Sequence, residues 1–338
     1  MISRRPVLLI GIAIGLLFAT LLAATCSGSV AVNLMDVLRS LFICPFQDNC
    51  DAPELTQRII WEIRLPRILM ALITGAGLAI TGAMMQSVTR NPLADPYLFG
   101  ISSGASLGAS IVMSLASSIA ISITLGAFLG AMFSVILMLA LAGRSAAIVE
   151  RLLLSGVAVS FMLSAFTSLI LYYSSPQLAA TLLFWMMGSF SDSQWHELAL
   201  PWVTVLTGTI LFLIFHRWIG VLQAGDENAH TLGVPVNQFR LLVLLVCAAI
   251  TGVLVAHVGG IGFVGLMIPH IARFLVGAQI HRMLIMCIFL GGTFMVWVDI
   301  VAHSTLTNQV LPIGIVTSTV GSLFFFVILK YRSRKDIE

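Results

Sequence analysis

Uncharged apolar stretches divide this chain into segments that are long enough to cross a lipid bilayer. A transmembrane helix needs about 20 mostly apolar residues, and the intervals between successive Asp, Glu, Lys and Arg residues supply nine or ten such segments. The predicted spans are Val7–Ala24, Arg67–Arg90, two within Pro96–Gly143, Leu152–Ser191, Leu198–His216, two within Leu241–Ala272 that separate at Gly259–Gly262, Met283–Val298 and Pro312–Leu329. The pattern predicts an all-α polytopic membrane bundle, one domain over residues 1–338.

Composition excludes the alternatives to a membrane protein. The chain has 17 Lys and Arg and 14 Asp and Glu, so charged residues make up 9% of its length, against about 25% in a soluble domain. That is too few for the polar surface of a water-soluble fold or for a disordered segment. A net charge of +3 is also too small to indicate a nucleic-acid partner.

Basic residues orient the predicted bundle. Lys and Arg collect on the cytoplasmic side of a membrane, and both chain ends are basic, so we expect cytoplasmic termini and an even number of spans, ten. This threading makes most basic residues cytoplasmic: Arg4, Arg5, Arg90, Arg144, Arg151, Arg217, Arg240, Arg273, Arg282, Lys330, Arg332, Arg334 and Lys335. The exceptions are Arg39, Arg58, Arg64 and Arg67, in or beside the predicted external loop 27–63.

The first apolar run also has features of a secretory signal, with Arg4 and Arg5 ahead of it and small residues before Cys26. The run is longer than the roughly 7 to 15 residues of a signal core, and Thr25 is unfavourable before a cleavage point. We therefore expect an uncleaved first span.

Cysteine placement suggests one structural disulfide. Cys44 and Cys50 lie in the predicted external loop, where an oxidising periplasm would favour a small disulfide-closed loop. Cys26, Cys247 and Cys287 lie in or at the ends of spans.

Small residues recur at four-residue spacing within several spans. Such stripes let helix backbones approach closely in lipid, so they predict tight packing and say nothing of a substrate. The stripes are Gly100, Gly104 and Gly108; Gly126 and Gly130; and Gly75, Ala79 and Ala83.

Two energy sources can be tested by inspection. The phosphate-binding loop of an ATPase needs a Lys within a glycine motif, and the only lysines, Lys330 and Lys335, do not follow a Gly. The chain is therefore not expected to hydrolyse ATP. An ion-coupled carrier needs ionisable groups within its spans. Only Asp299, His257 and His270 qualify, and hydrogen bonding between helices explains them as well.

The interior loop 217–240 contains a short predicted helix. Asp226 can cap its N-terminus, Glu227 suits the positive end of the dipole, and Gly233 and Pro235 stop it. Such a helix either docks a separate soluble subunit or is simply a capped surface helix.

Two proline-containing segments mark the ends of the second span. Asn91-Pro92-Leu93-Ala94-Asp95-Pro96 predicts a rigid turn at the inner mouth. At the outer end, Arg64-Leu65-Pro66-Arg67 is expected to project two arginines toward water, either to lipid headgroups or to a partner.

Together these segments resemble the FecCD-type permeases of ABC importers for iron-siderophores, haem and cobalamin. The matching motifs occur in family order and spacing: Arg64-Leu65-Pro66-Arg67, Gly82-Ala83-Met84-Met85-Gln86, Asn91-Pro92-Leu93-Ala94-Asp95-Pro96, Gly100-Ile101-Ser102-Ser103-Gly104-Ala105, Arg151-Leu152-Leu153-Leu154, Trp185-Met186-Met187-Gly188, Leu232-Gly233-Val234-Pro235, Gly262-Phe263-Val264-Gly265-Leu266 with Ile268-Pro269-His270, and Leu311-Pro312-Ile313-Gly314.

The resemblance implies roles for particular residues. It implies that the interior loop couples to the ATPase through Gly225, Asp226, Glu227, Ala229, Leu232 and Gly233. It implies a cytoplasmic gate at Asn91 and Leu93, and docking of a periplasmic binding protein at Arg64 and Arg67, where exposed charges would steer the partner.

The chain departs from the family at three places. His303 stands where many relatives have a docking Arg, so it is included among the docking residues as a pH-sensitive contact. Val310 replaces a frequent Glu, and Val149 with Glu150 replaces the hydroxyl residues of one relative's gate, so no gate role is assigned there.

The resulting expectation is a non-catalytic permease subunit in a bacterial inner membrane that imports an iron-siderophore or similar metal chelate. Its expected partners are two ABC ATPase subunits that use ATP and Mg, a periplasmic binding protein, a second permease subunit and membrane lipid. No cofactor, metal or nucleic acid is expected on this chain. The alternative is an ion-coupled secondary transporter that uses Asp299 and His257.

Overall fold

The computed structural model describes residues 5–28, 32–44, 53–115, 122–143, 149–306 and 309–335. Arg4, Cys50 and Arg144 lie outside these ranges. The helices are α1 (Arg5–Cys26), α2 (Leu34–Phe42), α3 (Glu54–Arg58), a π-helical turn (Ile59–Arg64), α4 (Leu65–Thr89), a 3-10 turn (Pro96–Phe99), α5 (Ile101–Ser114), α6 (Ile123–Ala142), α7 (Val149–Tyr173), α8 (Pro176–Met186), α9 (Trp195–Ile214), α10 (His216–Gln223), α11 (Asp226–Thr231), α12 (Val236–Val258), α13 (Val264–Val276), α14 (Ile280–Ser304) and α15 (Ile313–Lys335).

The described part of the chain confirms the all-α bundle. Seven helical segments are long and apolar enough to cross a membrane, and Ile101–Ser114, Val264–Val276 and Ile313–Ile328 are shorter apolar helices. Each of these ten corresponds to one predicted span. The segment 54–64, expected in the outer loop, is helical and continues directly into α4. Cys44 is disulfide-bonded, and Cys50 falls outside the described ranges.

Helix α4 is the axis of the bundle. Its continuous segment Glu54–Thr89 is 89% buried over its apolar window, whereas the corresponding values for α1 and α7 are both 22%. It packs against α14, α12, α13 and α9. A helix that is apolar all round and enclosed by protein cannot face lipid, so α4 connects the two ends of the molecule through the protein interior.

Glycine contacts explain how the helices approach α4 so closely. A Cβ atom on Gly75 would overlap the backbone of Gly291 in α14, and one on Gly82 would overlap Gly265 in α13. Gly104 meets Gly130 in the same way between α5 and α6. The predicted small-residue packing is confirmed, because only hydrogen leaves room for these backbones.

Three motifs of the sequence meet where helices are interrupted. Met187 and Gly188, after α8, accept hydrogen bonds from the backbone N–H groups of Gly314 (2.8 Å) and Ile313 (3.1 Å). The carbonyl of Val258, at the end of α12, accepts one from Ser189 (3.0 Å). Backbone polar groups inside a membrane must find protein partners. These bonds join the C-terminal ends of α8 and α12 and the N-terminal start of α15.

Candidate functional site

Two polar clusters lie at opposite ends of α4. We call the end that carries Arg90, Asp226 and Arg240 the inner end, and the end that carries Arg64, Arg67 and Asp299 the outer end, after their predicted sides. Contacts within each cluster hold several helices together.

The short helix of the interior loop forms, but not with the predicted cap. The N-cap of α11 is Gly225, whose φ of 121° favours glycine, and Asp226 is the first helical residue. The prediction that Asp226 caps the helix is wrong, because its carboxylate is occupied by two arginines. Gly233 has a φ of 78° just beyond the helix, as expected of a C-terminal stop.

Asp226 ties α11 to the bundle. Its Oδ1 lies 2.7 Å from Nη2 of Arg240 and 3.2 Å from Nη2 of Arg90. The Arg240 side chain is only 4% exposed, and its Nε also donates to the carbonyl of Val88 at 3.1 Å. Charge-assisted hydrogen bonds of this kind are the strong ones, so α11 is held to the C-terminal end of α4 and the start of α12.

The other predicted coupling residues divide between core and surface. Ala229 is fully buried against the bundle, while Leu232 is 69% exposed. Glu227 is also exposed. A nonpolar side chain and a carboxylate therefore face outward from α11 and its end, which leaves them available to a partner.

The predicted gate turn follows α4 directly. Arg90 has a left-handed φ of 53°, which ends α4, and Asn91 Oδ1 then accepts the Leu93 N–H at 2.9 Å. Leu93 is 61% exposed. The turn is therefore locally hydrogen-bonded, presents an apolar side chain, and begins one residue after an arginine that binds Asp226.

Asp95 is a buried residue at the end of this turn. Its Oδ1 accepts the Tyr97 N–H at 2.8 Å, and its buried Oδ2 has no hydrogen-bond partner among the described residues. Burial raises the pKa of Asp95 to about 6, although the Tyr97 N–H opposes that change. Burial also raises the pKa of Tyr97, whose hydroxyl accepts the Ile261 N–H at 2.7 Å. The turn is thus attached to the α12–α13 break.

The outer arginines are buried, so the prediction that they project into water is wrong. Arg64 is 3% exposed and Arg67 is 8% exposed. Arg67 Nε lies 3.0 Å from Asp299 Oδ2, and Arg64 donates to the carbonyl of Thr25. Arg64 is therefore bound by the end of α1 and Arg67 by α14.

Asp299 is the centre of the outer cluster. Its Oδ1 lies 3.2 Å from His303 Nδ1, and that nitrogen is also 3.0 Å from the Asp299 carbonyl. His303 Nε2 lies 3.3 Å from Ser191 Oγ. The bonding of Asp299 between helices confirms the structural interpretation of this intramembrane acid.

An outer cavity of about 550 Å³ opens beside this cluster. Its wall includes Trp185, Asp192, Glu197, His257 and Pro312. His257 Nδ1 lies 2.8 Å from the Val253 carbonyl, so this ring is held by a contact within its own helix. No group of His, Cys, Asp or Glu in the described residues is arranged to hold a metal ion.

These features define a class of protein: a helical membrane bundle whose inner end carries a short helix, α11, with exposed residues. The pattern of the FecCD transport family matches residues 8–331. The chain belongs to the FecCD transport family, and it is therefore a permease subunit of an ABC import system.

Similar proteins span nearly the same length. The hemin transport system permease protein HmuU of Yersinia pestis is 36% identical over 98% of both chains. The cobalamin import system permease protein BtuC of Halobacterium salinarum is 37% identical over 83% of this chain and 75% of its own. A probable iron chelatin transport system permease of Helicobacter pylori is 39% identical over 82% and 83%.

A solved structure has the same fold. An ABC transporter described as of the metal-chelate type, in an inward-facing conformation, superposes with a TM-score of 0.82 at 29% identity, over 96% of this chain and 99% of that one.

Proposed function

We propose that this chain is the permease subunit through which an iron-siderophore or similar metal chelate crosses the bacterial inner membrane. The observation that carries the proposal is the match to hemin and iron-chelatin permeases over most of their length. A cobalamin permease is about equally similar, so the proposed class is a bulky metal chelate, with the iron complexes as its first members.

The same proposal assigns the energy source to separate ATPase subunits that use ATP and Mg. The exposed Glu227 and Leu232 of the α11 region are the contact surface for that subunit, and Asp226 carries the resulting displacement to Arg90 and Arg240. Because Arg90 immediately precedes Asn91, a movement of α11 reaches the gate turn through one ion pair. Asn91 and Leu93 then open or close the inner mouth.

At the outer end, Arg64, Arg67 and His303 serve binding-protein docking indirectly. Their side chains are enclosed, so we propose that they hold the outer ends of α1, α4 and α14 in the arrangement that the binding protein recognises. A second permease subunit completes the pathway. The ion-coupled alternative has less support, because Asp299 and His257 are both held by hydrogen bonds or ion pairs.

Uptake by the reconstituted importer tests the cargo. Proteoliposomes that contain this permease with its ATPase and binding protein would be supplied with a labelled ferric siderophore, hemin or cobalamin. We expect ATP-dependent accumulation of a ferric siderophore. Hemin and cobalamin should inhibit this uptake only weakly. Accumulation of cobalamin or hemin alone would contradict the iron-siderophore assignment while leaving the permease function intact.

A further inference from the structure

A second polar feature of the inner end lies beside α11, between α10 and the start of α14. An open pocket of about 440 Å³ separates α10 from the start of α14, and its wall includes His216, Arg217, Gln279 and His281. The His216 and His281 rings meet edge to face with centroids 5.8 Å apart. Arg217 in the wall and Arg282, which follows His281 in the chain, therefore place two positive charges from two helices beside these rings.

No carboxylate balances this group. The wall of the pocket contains no Asp or Glu, and neither Arg217 nor Arg282 forms an ion pair within the described ranges. Helix α14 also begins here with no acidic residue in its first turn and no side-chain cap on its N–H groups. The positive end of a helix adds to the attraction for an anion.

The pocket lies at the level where two spans leave the apolar layer. Helix α9 ends at Ile214 and α14 starts at Ile280, so the lining residues follow or precede membrane-crossing segments. Ile210 and Ile214 of α9 are 55% and 64% exposed, and α9 ends at Ile214, two residues before the lining residue His216. Trp218, 39% exposed, is of the type that sits at membrane interfaces.

We propose that this pocket binds the phosphate headgroup of an anionic phospholipid, whose acyl chains lie along the exposed face of α9. Basic pockets between helix ends on the cytoplasmic side suit such headgroups. A free phosphate would use the same cations but would gain nothing from the exposed apolar residues of α9. None of the lining residues belongs to the predicted gate or docking sets, although Arg217, Gly220 and Gln223 lie in the interior loop that is proposed to couple to the ATPase.

Native mass spectrometry of the full-length permease tests the site. The protein would be released from micelles that contain equal amounts of phosphatidylglycerol and phosphatidylcholine, and the retained lipid counted. Wild type is expected to retain phosphatidylglycerol preferentially. Arg217→Gln with Arg282→Gln should lower that preference about fivefold for each charge removed. Arg39→Gln with Arg58→Gln removes the same charge at the outer end and should leave it unchanged.

Four results would overturn the proposal. Equal retention of the two lipids by wild type would do so without any variant, and so would an equal loss of preference in both double variants. Displacement of the lipid by millimolar inorganic phosphate would show a simple anion site. If the Arg217 and Arg282 variant keeps the lipid but fails to assemble with the ATPase, the surface belongs to that interface instead.

Discussion

Buried charge at the outer end is balanced within the protein. Arg67 and Asp299 lie on different helices, and their side chains are 9% and 0% exposed. Each charge would be costly without the other, because the bilayer interior offers no water to replace it. The pair therefore fixes the contact between α4 and α14 more than it supplies an exposed docking charge.

Replacing one partner should therefore be worse than replacing both. Arg67→Met leaves the Asp299 carboxylate buried with only His303 nearby, and we expect a loss of about 3–5 kcal/mol of unfolding free energy. Adding Asp299→Asn to Arg67→Met should restore more than half of the lost unfolding free energy. Arg58→Met breaks the exposed pair with Glu54 and should have little effect.

Unfolding in mixed micelles, followed by circular dichroism, measures these differences. If the double variant were as unstable as Arg67→Met, the cost would come from lost packing of the arginine stem and not from an uncompensated carboxylate.

Sequence reasoning identified the residues of the outer cluster but not their environment. The position of Pro66 between Arg64 and Arg67 indicates a helix start, but the helical segment begins at Glu54 and continues through Pro66. The error arose because residues 54–64 are polar enough to be assigned to a loop, whereas α3 and the π-helical turn continue directly into α4. The ion pair joins residues 232 positions apart, which no local pattern can reveal.

Among the elements, α11 and α4 act together at the inner end. Asp226 contacts Arg240 of α12 and Arg90 at the end of α4, and Gln223 Nε2 donates to Ser87 Oγ at 2.9 Å. These contacts join α10 and α11 to a helix that is enclosed along its length. The hydrophobic pattern predicts α4, and capping and stop residues predict α11, but neither predicts that Asp226 pairs with two arginines.

Removing the Asp226 charge should uncouple transport from ATP hydrolysis. Asp226→Asn weakens the link from α11 to Arg90 and Arg240 while leaving Glu227 and Leu232 in place for the ATPase subunit. We expect the assembled complex to hydrolyse ATP while uptake falls about tenfold, within the usual range of coupling energies of about 1–3 kcal/mol. Asp226→Glu should recover part of the uptake.

Parallel assays of ATP hydrolysis, uptake and subunit co-purification separate the possibilities. Glu54→Gln, which removes a carboxylate from an exposed ion pair at the other end, serves as the matched control. Loss of the ATPase subunit from the Asp226→Asn complex would show that Asp226 contributes to docking itself, and normal uptake would show that the link is not used.

At the scale of the whole molecule, the sequence predicted all ten apolar helices because each rests on local hydrophobicity. It did not predict which helix lies inside. The apolar window of Glu54–Thr89 is 89% buried and that of α1 is 22% buried, although both segments are predicted as spans by the same hydrophobic pattern. The shorter helix α13 begins after a break in which the Ile261 N–H donates to the Tyr97 hydroxyl, which is distant in the sequence.

The central claim is that this permease is driven by ATP hydrolysis in separate subunits. Its most direct test is chelate uptake into proteoliposomes that contain the permease, its ATPase and the binding protein, with internal or external MgATP and a protonophore varied independently. We expect uptake that requires MgATP at the ATPase and persists with the protonophore present. Uptake that continues without the ATPase and collapses with the protonophore would contradict it.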